Sequence, residues 1–473
     1  MENRSTSVAV DASSQAAALL ARMEAVPFTR WHARARVVMG SATFFDAFNA
    51  LSLAFALPIL IKLWHITPQQ IGVLIGTAYV GQLAGAIVFS WCAEKFGRVP
   101  SAAWAVTLMS VMSIACVFSG SFMGLLLCRL IQGIGVGGEM PVAATYVSEL
   151  SQARGRGRFF LLYELIFPIG LMATGQVGTL LVPVWGWQAM FLIGGIPGLI
   201  VAYLLTRLPE SPRWLISHGR VAEAETVVRQ AEASKPLGRA RRLPVEPISS
   251  VTAREESREK PLPPVAAPGR AKWREVLSPL YRKRTLIAWF LWSCAYFVSN
   301  SLNNWMPSLY NTIYHLELKQ SLRAASMLNV AQVSVLLVCA FAIDRTGRRV
   351  WTVASFAVSA ILLAILGFGA GESAERVMIL GTLSYGVVGS ANAVLYLYTP
   401  EIYPTRMRAI GTGLSTAWLR IASAVGPAIV GVIVGAHGVG PVFWLFAAVA
   451  AAGAVAALGM LETQNRRLED IAS

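Results

Sequence analysis

Long apolar runs alternate with short polar ones along most of the chain. Twelve runs are long enough to cross a hydrocarbon core of about 20 residues: 37–61, 70–93, 100–118, 122–147, 159–184, 188–206, 285–310, 324–343, 351–370, 377–399, 410–435 and 441–461. They are continuously apolar and rich in Gly and Ala, with none of the two-residue alternation of a membrane strand. In lipid the backbone must satisfy its own hydrogen bonds, so each run is expected to be a helix. Six runs precede a long polar stretch at 207–284 and six follow it. The expected organisation is an N-terminal tail (1–36), a six-helix bundle (37–206), a linker (207–284), a second six-helix bundle (285–461) and a short tail (462–473). Within the linker, 209–232 has a helical pattern around VAEAETVVRQAEA. Residues 235–270 are rich in Pro and Arg and read as a flexible connector. Residues 1–36 contain no apolar leader core, so the first span is expected to be retained.

Charge orients the bundle. The segments on the side that holds both tails carry 34 of the 40 Lys and Arg residues. The opposite loops carry only Lys62, Lys319, Arg323 and Arg376. The positive-inside rule then places both termini in the cytoplasm. The net charge of +15 is therefore a topology signal, and no nucleic-acid partner is expected.

Composition agrees. A 473-residue chain that is 55% hydrophobic and only 14% charged cannot cover the surfaces of a soluble protein, which carries about 25% charged residues. Cys92, Cys116, Cys128, Cys294 and Cys339 lie in apolar runs without metal-ligand spacing and read as core residues. No nucleophile–base pair or metal cluster stands out, so neither an enzyme nor a bound cofactor is expected.

The two halves repeat each other. EKFGR from Glu94 returns as DRTGRR from Asp344, offset by 250. YVSELSQARGRG, with Glu149 and Arg156, returns as YTPEIYPTRMRA, with Glu401 and Arg408, offset by 252. AFALP ending at Pro58 returns as NNWMP ending at Pro307, offset by 249. Six helices per half give both halves one orientation, a parallel repeat whose central site lies between the halves near the midplane.

These motifs resemble those of the major facilitator superfamily over residues 37–461. LPESPRWL from Leu208 is similar to the sugar-porter, organic-ion and synaptic-vesicle-protein branches. FFDAFNA in the first span, RLIQGIGVGGEMPVAATYVSE (Arg129 to Glu149) and YTPEIYPTRMRAIGTG (Tyr398 to Gly413) resemble the metabolite:proton symporter group, which includes niacin transporters. The resemblance implies the superfamily fold, proton coupling and import by alternating access. Two positions depart from the pattern: Glu94 stands where an Asp is usual, and Asn49 where relatives usually carry a second acid.

Charges inside spans need a reason, because burying them in oil is costly. Counting about 1.5 Å per residue, Asp46, Glu139, Glu164 and Arg420 fall roughly 14, 15, 10 and 18 Å from the basic face. Arg129 lies roughly 15 Å beyond Glu139. Two carboxylates at one depth suit Asp46 and Glu139 as proton carriers, with Glu164 and Arg129 as further candidates. The bland alternative is a fixed pair such as Asp46 with Arg129. His32, His65, His218, His315 and His437 all fall at span ends or in loops. Arg420 keeps its charge and must be paired or meet an anion, for which its planar fork suits a carboxylate.

The acids and Arg129 have no counterparts in the second half, where Ala295, Gly381 and Ala391 stand instead. The seventh span offers neutral groups: Trp292, Tyr296, Asn300 and Asn303 on one helical face, with Asn304 and Tyr310 nearby. Aromatic rings and amides suit a small aromatic acid, although packing alone explains such residues too. Glu94, Arg98, Glu149, Arg156, Asp344, Arg348, Glu401 and Arg408 are expected to form a cytoplasmic gate of ion pairs that break on inward opening. The expected function is a monomeric, proton-coupled carrier importing a small organic acid, by resemblance most specifically nicotinate. Other aromatic or hydroxy acids, sugars, and a non-transporting receptor with a carrier fold remain alternatives.

Overall fold

The computed structural model describes residues 18–23, 25–150, 165–236, 273–369, 373–404 and 407–464. Glu164, Arg156, most of the tails and nearly all of the connector 235–270 lie outside the described residues.

Among the described residues, twelve helices are long and apolar enough to span a membrane. They are α1 (Arg30–Trp64), α2 (Pro68–Phe96), α3 (Arg98–Val117), α4 (Phe122–Glu149), α5 (Ile166–Trp185), α6 (Gln188–Leu205), α7 (Arg282–Thr312), α8 (Leu318–Thr346), α9 (Arg348–Gly369), α10 (Ala374–Glu401), α11 (Arg408–His437) and α12 (Gly440–Leu458). Several outrun the apolar stretch that announces them: α1 starts seven residues before its run and α8 six. Hydropathy marks oil, whereas a helix satisfies its own backbone and can continue into water.

Local chemistry sets the ends. Thr67 and Gln70 cap α2 reciprocally: the Gln70 N–H donates to Thr67 Oγ1 (3.3 Å) and the Thr67 N–H to Gln70 Oε1 (2.9 Å), just ahead of the first-turn Pro68. The repeated motif turns on Gly97 (φ +113°) and Gly347 (φ +84°), backbone angles that L side chains rarely adopt.

Helices α1–α6 pack chiefly on one another, as do α7–α12, and the two groups meet along α1–α7, α2–α11 and α5–α8. Lipid supplies little hydrophobic drive between helices, so small residues let backbones approach. Gly81, Gly85, Gly133 and Gly137 form such a seam between α2 and α4. Another crosses the halves near the face opposite the Gly97 turn. There, a Cβ added to Gly72 or Gly76 would lie 2.6 Å from the carbonyl oxygen of Pro427 or Ala424.

Beyond α6, short helices at Pro212–Ser217 and Val221–Ala233 bear out the helical pattern expected there. They hold the segment before α1: Arg22 forms a bidentate pair with Glu232 (3.0 and 2.8 Å), and the Arg30 N–H donates to Lys235 O (3.1 Å).

Candidate functional site

A cavity sits between the halves. It is lined from the first half by Asp46 and Leu51 (α1), Tyr79 and Gln82 (α2), Met140 (α4) and Phe167 (α5). The second half contributes Tyr296, Asn300, Asn303 and Asn304 (α7), Tyr396 (α10) and Arg420 (α11). The cavity's volume is about 60 Å³, room for a few waters.

Its ionic groups are buried and under-partnered. Asp46 is 3% exposed, and its Oδ1 has no hydrogen-bond partner among the described residues. Arg420 is 7% exposed and donates to the Thr416 carbonyl (3.2 Å) and, across the halves, to the Gly137 carbonyl (3.4 Å), while its Nε has no partner among the described residues. Both charges face one cavity from opposite halves. Such an arrangement leaves hydrogen-bonding capacity for a polar or ionic solute.

The other first-half charges stand behind the lining. Glu139 is fully buried on α4 between the lining residues Val136 and Met140. Its Oε1 accepts from Thr43 Oγ1 (3.0 Å), and its Oε2 has no partner among the described residues. Arg129 lies apart from the cavity. It donates to Asn49 O (3.1 Å) and Gln132 Oε1 (2.6 Å), and Gln132 donates to Asn49 Oδ1 (3.0 Å). The Arg129 hydrogen bonds therefore run to neutral groups, not to Asp46.

Of the aromatic and amide residues expected on α7, Tyr296, Asn300, Asn303 and Asn304 reach the cavity, whereas Trp292 and Tyr310 stand away from its lining. Trp292 backs it: its ring stacks on Tyr296 (5.6 Å) and meets Tyr396 edge-on (4.5 Å), while Nε1 donates to Thr399 Oγ1 (2.9 Å). Tyr310 is fully buried ten residues beyond Asn300. The Asn303 amide is spent on structure. It donates to Tyr385 Oη (2.9 Å) and exchanges 3.2 Å bonds with Asn329, bracing α7 against α8 and α10. Tyr79, Gln82 and Tyr396 were not singled out from the sequence. As neutral residues in apolar helices they carry no signal of which way they face.

The charged motif residues cluster beside the Gly97 and Gly347 turns. Arg98 pairs with Glu94 (3.0 Å) and Glu149 (3.1 Å); Arg348 pairs with Asp344 (3.6 Å) and Glu401 (3.4 Å). Each set joins neighbouring helices of one half. Arg408 Nε donates to Tyr403 O (3.2 Å). Two carboxylates that sequence reasoning missed complete these clusters. Glu210 Oε2 accepts from the Val99 N–H (3.1 Å), and Glu462 accepts from the Arg348 and Arg349 N–H groups (both 3.0 Å), each at the positive end of a helix. Burial raises the Glu210 carboxyl above the usual glutamate range, opposed by hydrogen bonds from Ser211 and Val99.

The twelve spanning helices among the described residues and the family match of residues 30–473 place the chain among the transporters of the major facilitator superfamily, multi-pass proteins of the plasma membrane. Residues 30–473 match the family described as "Sugar (and other) transporter", and the chain belongs to that family. It is 32% identical to the "Niacin transporter NiaP" of Acinetobacter baylyi, over 96% of this chain and 99% of the relative. Its fold superposes on the partially occluded, inward-open xylose transporter XylE from E. coli with a TM-score of 0.72 at 18% identity, covering 93% of this chain and 100% of that one. It also superposes on the proton:xylose symporter XylE bound to 6-bromo-6-deoxy-D-glucose, with a TM-score of 0.70 at 17% identity, over 93% and 98% of the two chains.

Proposed function

We propose that this carrier imports a small aromatic carboxylate, nicotinate in the first place, together with protons. The observation that carries the reading is a cation and an acid, Arg420 and Asp46, buried in the lining of one central cavity and contributed by opposite halves. Arg420 receives the substrate carboxylate, and Tyr296 and Tyr396 border its ring. Asp46 carries a proton, with Glu139 behind it as a second acid shielded from the cavity. Neutralising these acids makes it cheaper to expose them to a low-dielectric passage, which is how proton binding drives rearrangement of the halves.

The basic face is cytoplasmic in this reading, and both termini lie there. The Arg98 and Arg348 clusters then hold the cytoplasmic ends of each bundle and change partners as the halves rock. The likeness to a niacin transporter supports the choice of acid. The likeness to a proton symporter shows the fold alone.

A competition panel tests the substrate class. Nicotinate, benzoate, nicotinamide and xylose are each offered against radiolabelled nicotinate in proteoliposomes of the purified protein. The reading expects the acids to compete, with nicotinate strongest, and xylose to have no effect. No uptake of labelled nicotinate, or displacement of it by xylose with none by benzoate, overturns it.

A further inference from the structure

We propose that Gln82 completes the anion site from the first half, so that one substrate carboxylate bridges the halves between Gln82 on α2 and Arg420 on α11. The proposal rests on Arg420 as the carboxylate receptor, and adds the group that meets the same carboxylate from the other side.

The internal repeat makes Gln82 conspicuous. At the offset of 250 that relates Glu94 to Asp344, Gln82 corresponds to Gln332. Gln332 is occupied within its own half, where its Oε1 accepts from Tyr385 Oη (3.0 Å). At the offset of 252 that relates Glu149 to Glu401, the counterpart of Tyr385 is Gly133. No side chain fits there: a Cβ on Gly133 would overlap the backbone carbonyl of Ala78. The fold that ties down Gln332 thus leaves Gln82 untied. Gln82 lines the cavity, and its side chain makes no hydrogen bond to protein among the described residues.

Its position relative to Arg420 is fixed by Gly137. A Cβ on Gly137 would overlap the backbone of Gln82, so the two residues touch with nothing between them. The carbonyl of the same Gly137 accepts from Arg420 Nη2 at 3.4 Å. The Gln82 backbone and the Arg420 guanidinium therefore border one residue, and both Gln82 and Arg420 line the cavity. A 3.4 Å bond to a neutral carbonyl is long and weak beside a charge-assisted bond to a carboxylate, so a ligand can take the guanidinium over.

The donors match the ligand. A carboxylate has about four lone-pair sites. The guanidinium fork fills two, and the Gln82 amide N–H supplies a third from the opposite half. Tyr79, one turn earlier on α2, accepts from Asn304 Nδ2 (3.2 Å) and keeps its hydroxyl proton to donate. Gln82 is also neutral, which matters: a carboxylate here would neutralise Arg420 itself and displace the ligand.

The test is equilibrium binding to the purified full-length carrier. Nicotinate and benzoate are the carboxylate probes and nicotinamide the uncharged isostere, titrated against the wild type, Gln82→Ala, Gln82→Asn, Gln82→Glu and Arg420→Ala, with thermal unfolding followed on each. Gln82→Ala is expected to weaken both acids about tenfold, the value of one hydrogen bond to a charged group, and to leave nicotinamide unchanged. Gln82→Glu, nearly identical in shape, is expected to weaken the acids more than Gln82→Ala does, an ordering that a packing role would reverse. Wild-type acid affinity in both Gln82→Ala and Gln82→Glu, with Arg420→Ala impaired, overturns this proposal and spares the anion reading. Wild-type affinity in Arg420→Ala overturns the anion reading and this proposal with it.

Discussion

Glu210 and Glu462 hold the same post in the two halves. They lie 252 residues apart, each just past the last helix of its bundle, and each accepts backbone N–H groups at the start of the third helix of that bundle. A second pair follows the same offset: Tyr146 Oη donates to Pro209 O (2.7 Å), and Tyr398 Oη accepts from the Leu461 N–H (3.1 Å). The same six-helix unit is thus closed twice at its charged end, and each closing carboxylate reaches the turn that carries Arg98 or Arg348.

The burial of Glu210 gives a pH signature. Its carboxyl titrates above the ordinary 4.5, so the folded state binds this proton more tightly than the unfolded chain does. The group's contribution to stability therefore grows as pH falls from its raised value toward 4.5. Glu210→Gln keeps one acceptor oxygen and removes the titration. The melting temperature of the wild type minus that of Glu210→Gln is expected to rise as pH is lowered toward 4.5; a flat or falling difference contradicts the assignment.

Arg420 carries the anion reading. Replacing it with Ala is expected to weaken nicotinate binding by about ten- to a hundredfold, the range for losing charge-assisted hydrogen bonds. Arg420→Lys, a point charge without the planar fork, should recover only part of this. Titration calorimetry on the two variants checks both statements.

Asp46 and Glu139 separate driving force from binding. Asp46→Asn and Glu139→Gln are expected to reduce uptake driven by a proton gradient at least tenfold while leaving exchange of labelled for unlabelled substrate measurable. Such loss of coupling with retained exchange is the mark of a proton carrier rather than a structural acid. Parallel loss of both activities contradicts the role.

The α2–α11 seam makes a conformational prediction. A methyl at position 76 would sit 2.6 Å from the Ala424 carbonyl oxygen, so Gly76→Ala must spread the halves at that face. With a cysteine placed at the cavity residue Ala50 and the native thiols removed, an impermeant reagent applied from outside should label Gly76→Ala at least twofold faster than its parent. Unchanged labelling contradicts a closed seam on that side.

Much of this was legible in the sequence because membranes punish charge. Asp46, Glu139, Arg129 and Arg420 announce themselves by their cost in oil, and the repeat places the cavity between the halves. The remainder was hidden for identifiable reasons. Periodicity reports the face of a helix but not its depth, so Trp292 shares a stripe with Tyr296 and Asn300 yet falls behind the cavity rather than in it. Residue type does not reveal occupancy, so Asn303 looks like a ligand group although its amide braces three helices. Tyr79 and Gln82 are neutral residues among glycines, and only packing shows that they line the cavity and that Tyr79 meets Asn304 of the other half. LPES and MLET share a single identity, the capping glutamate, too little to reveal the pairing of Glu210 with Glu462.

Transport of radiolabelled nicotinate into proteoliposomes, under an inward proton gradient and again after an ionophore has collapsed it, tests the central claim most directly. The account predicts accumulation above the external concentration with the gradient and equilibration without it. Accumulation that survives the collapse, or no entry of nicotinate in either condition, would contradict it.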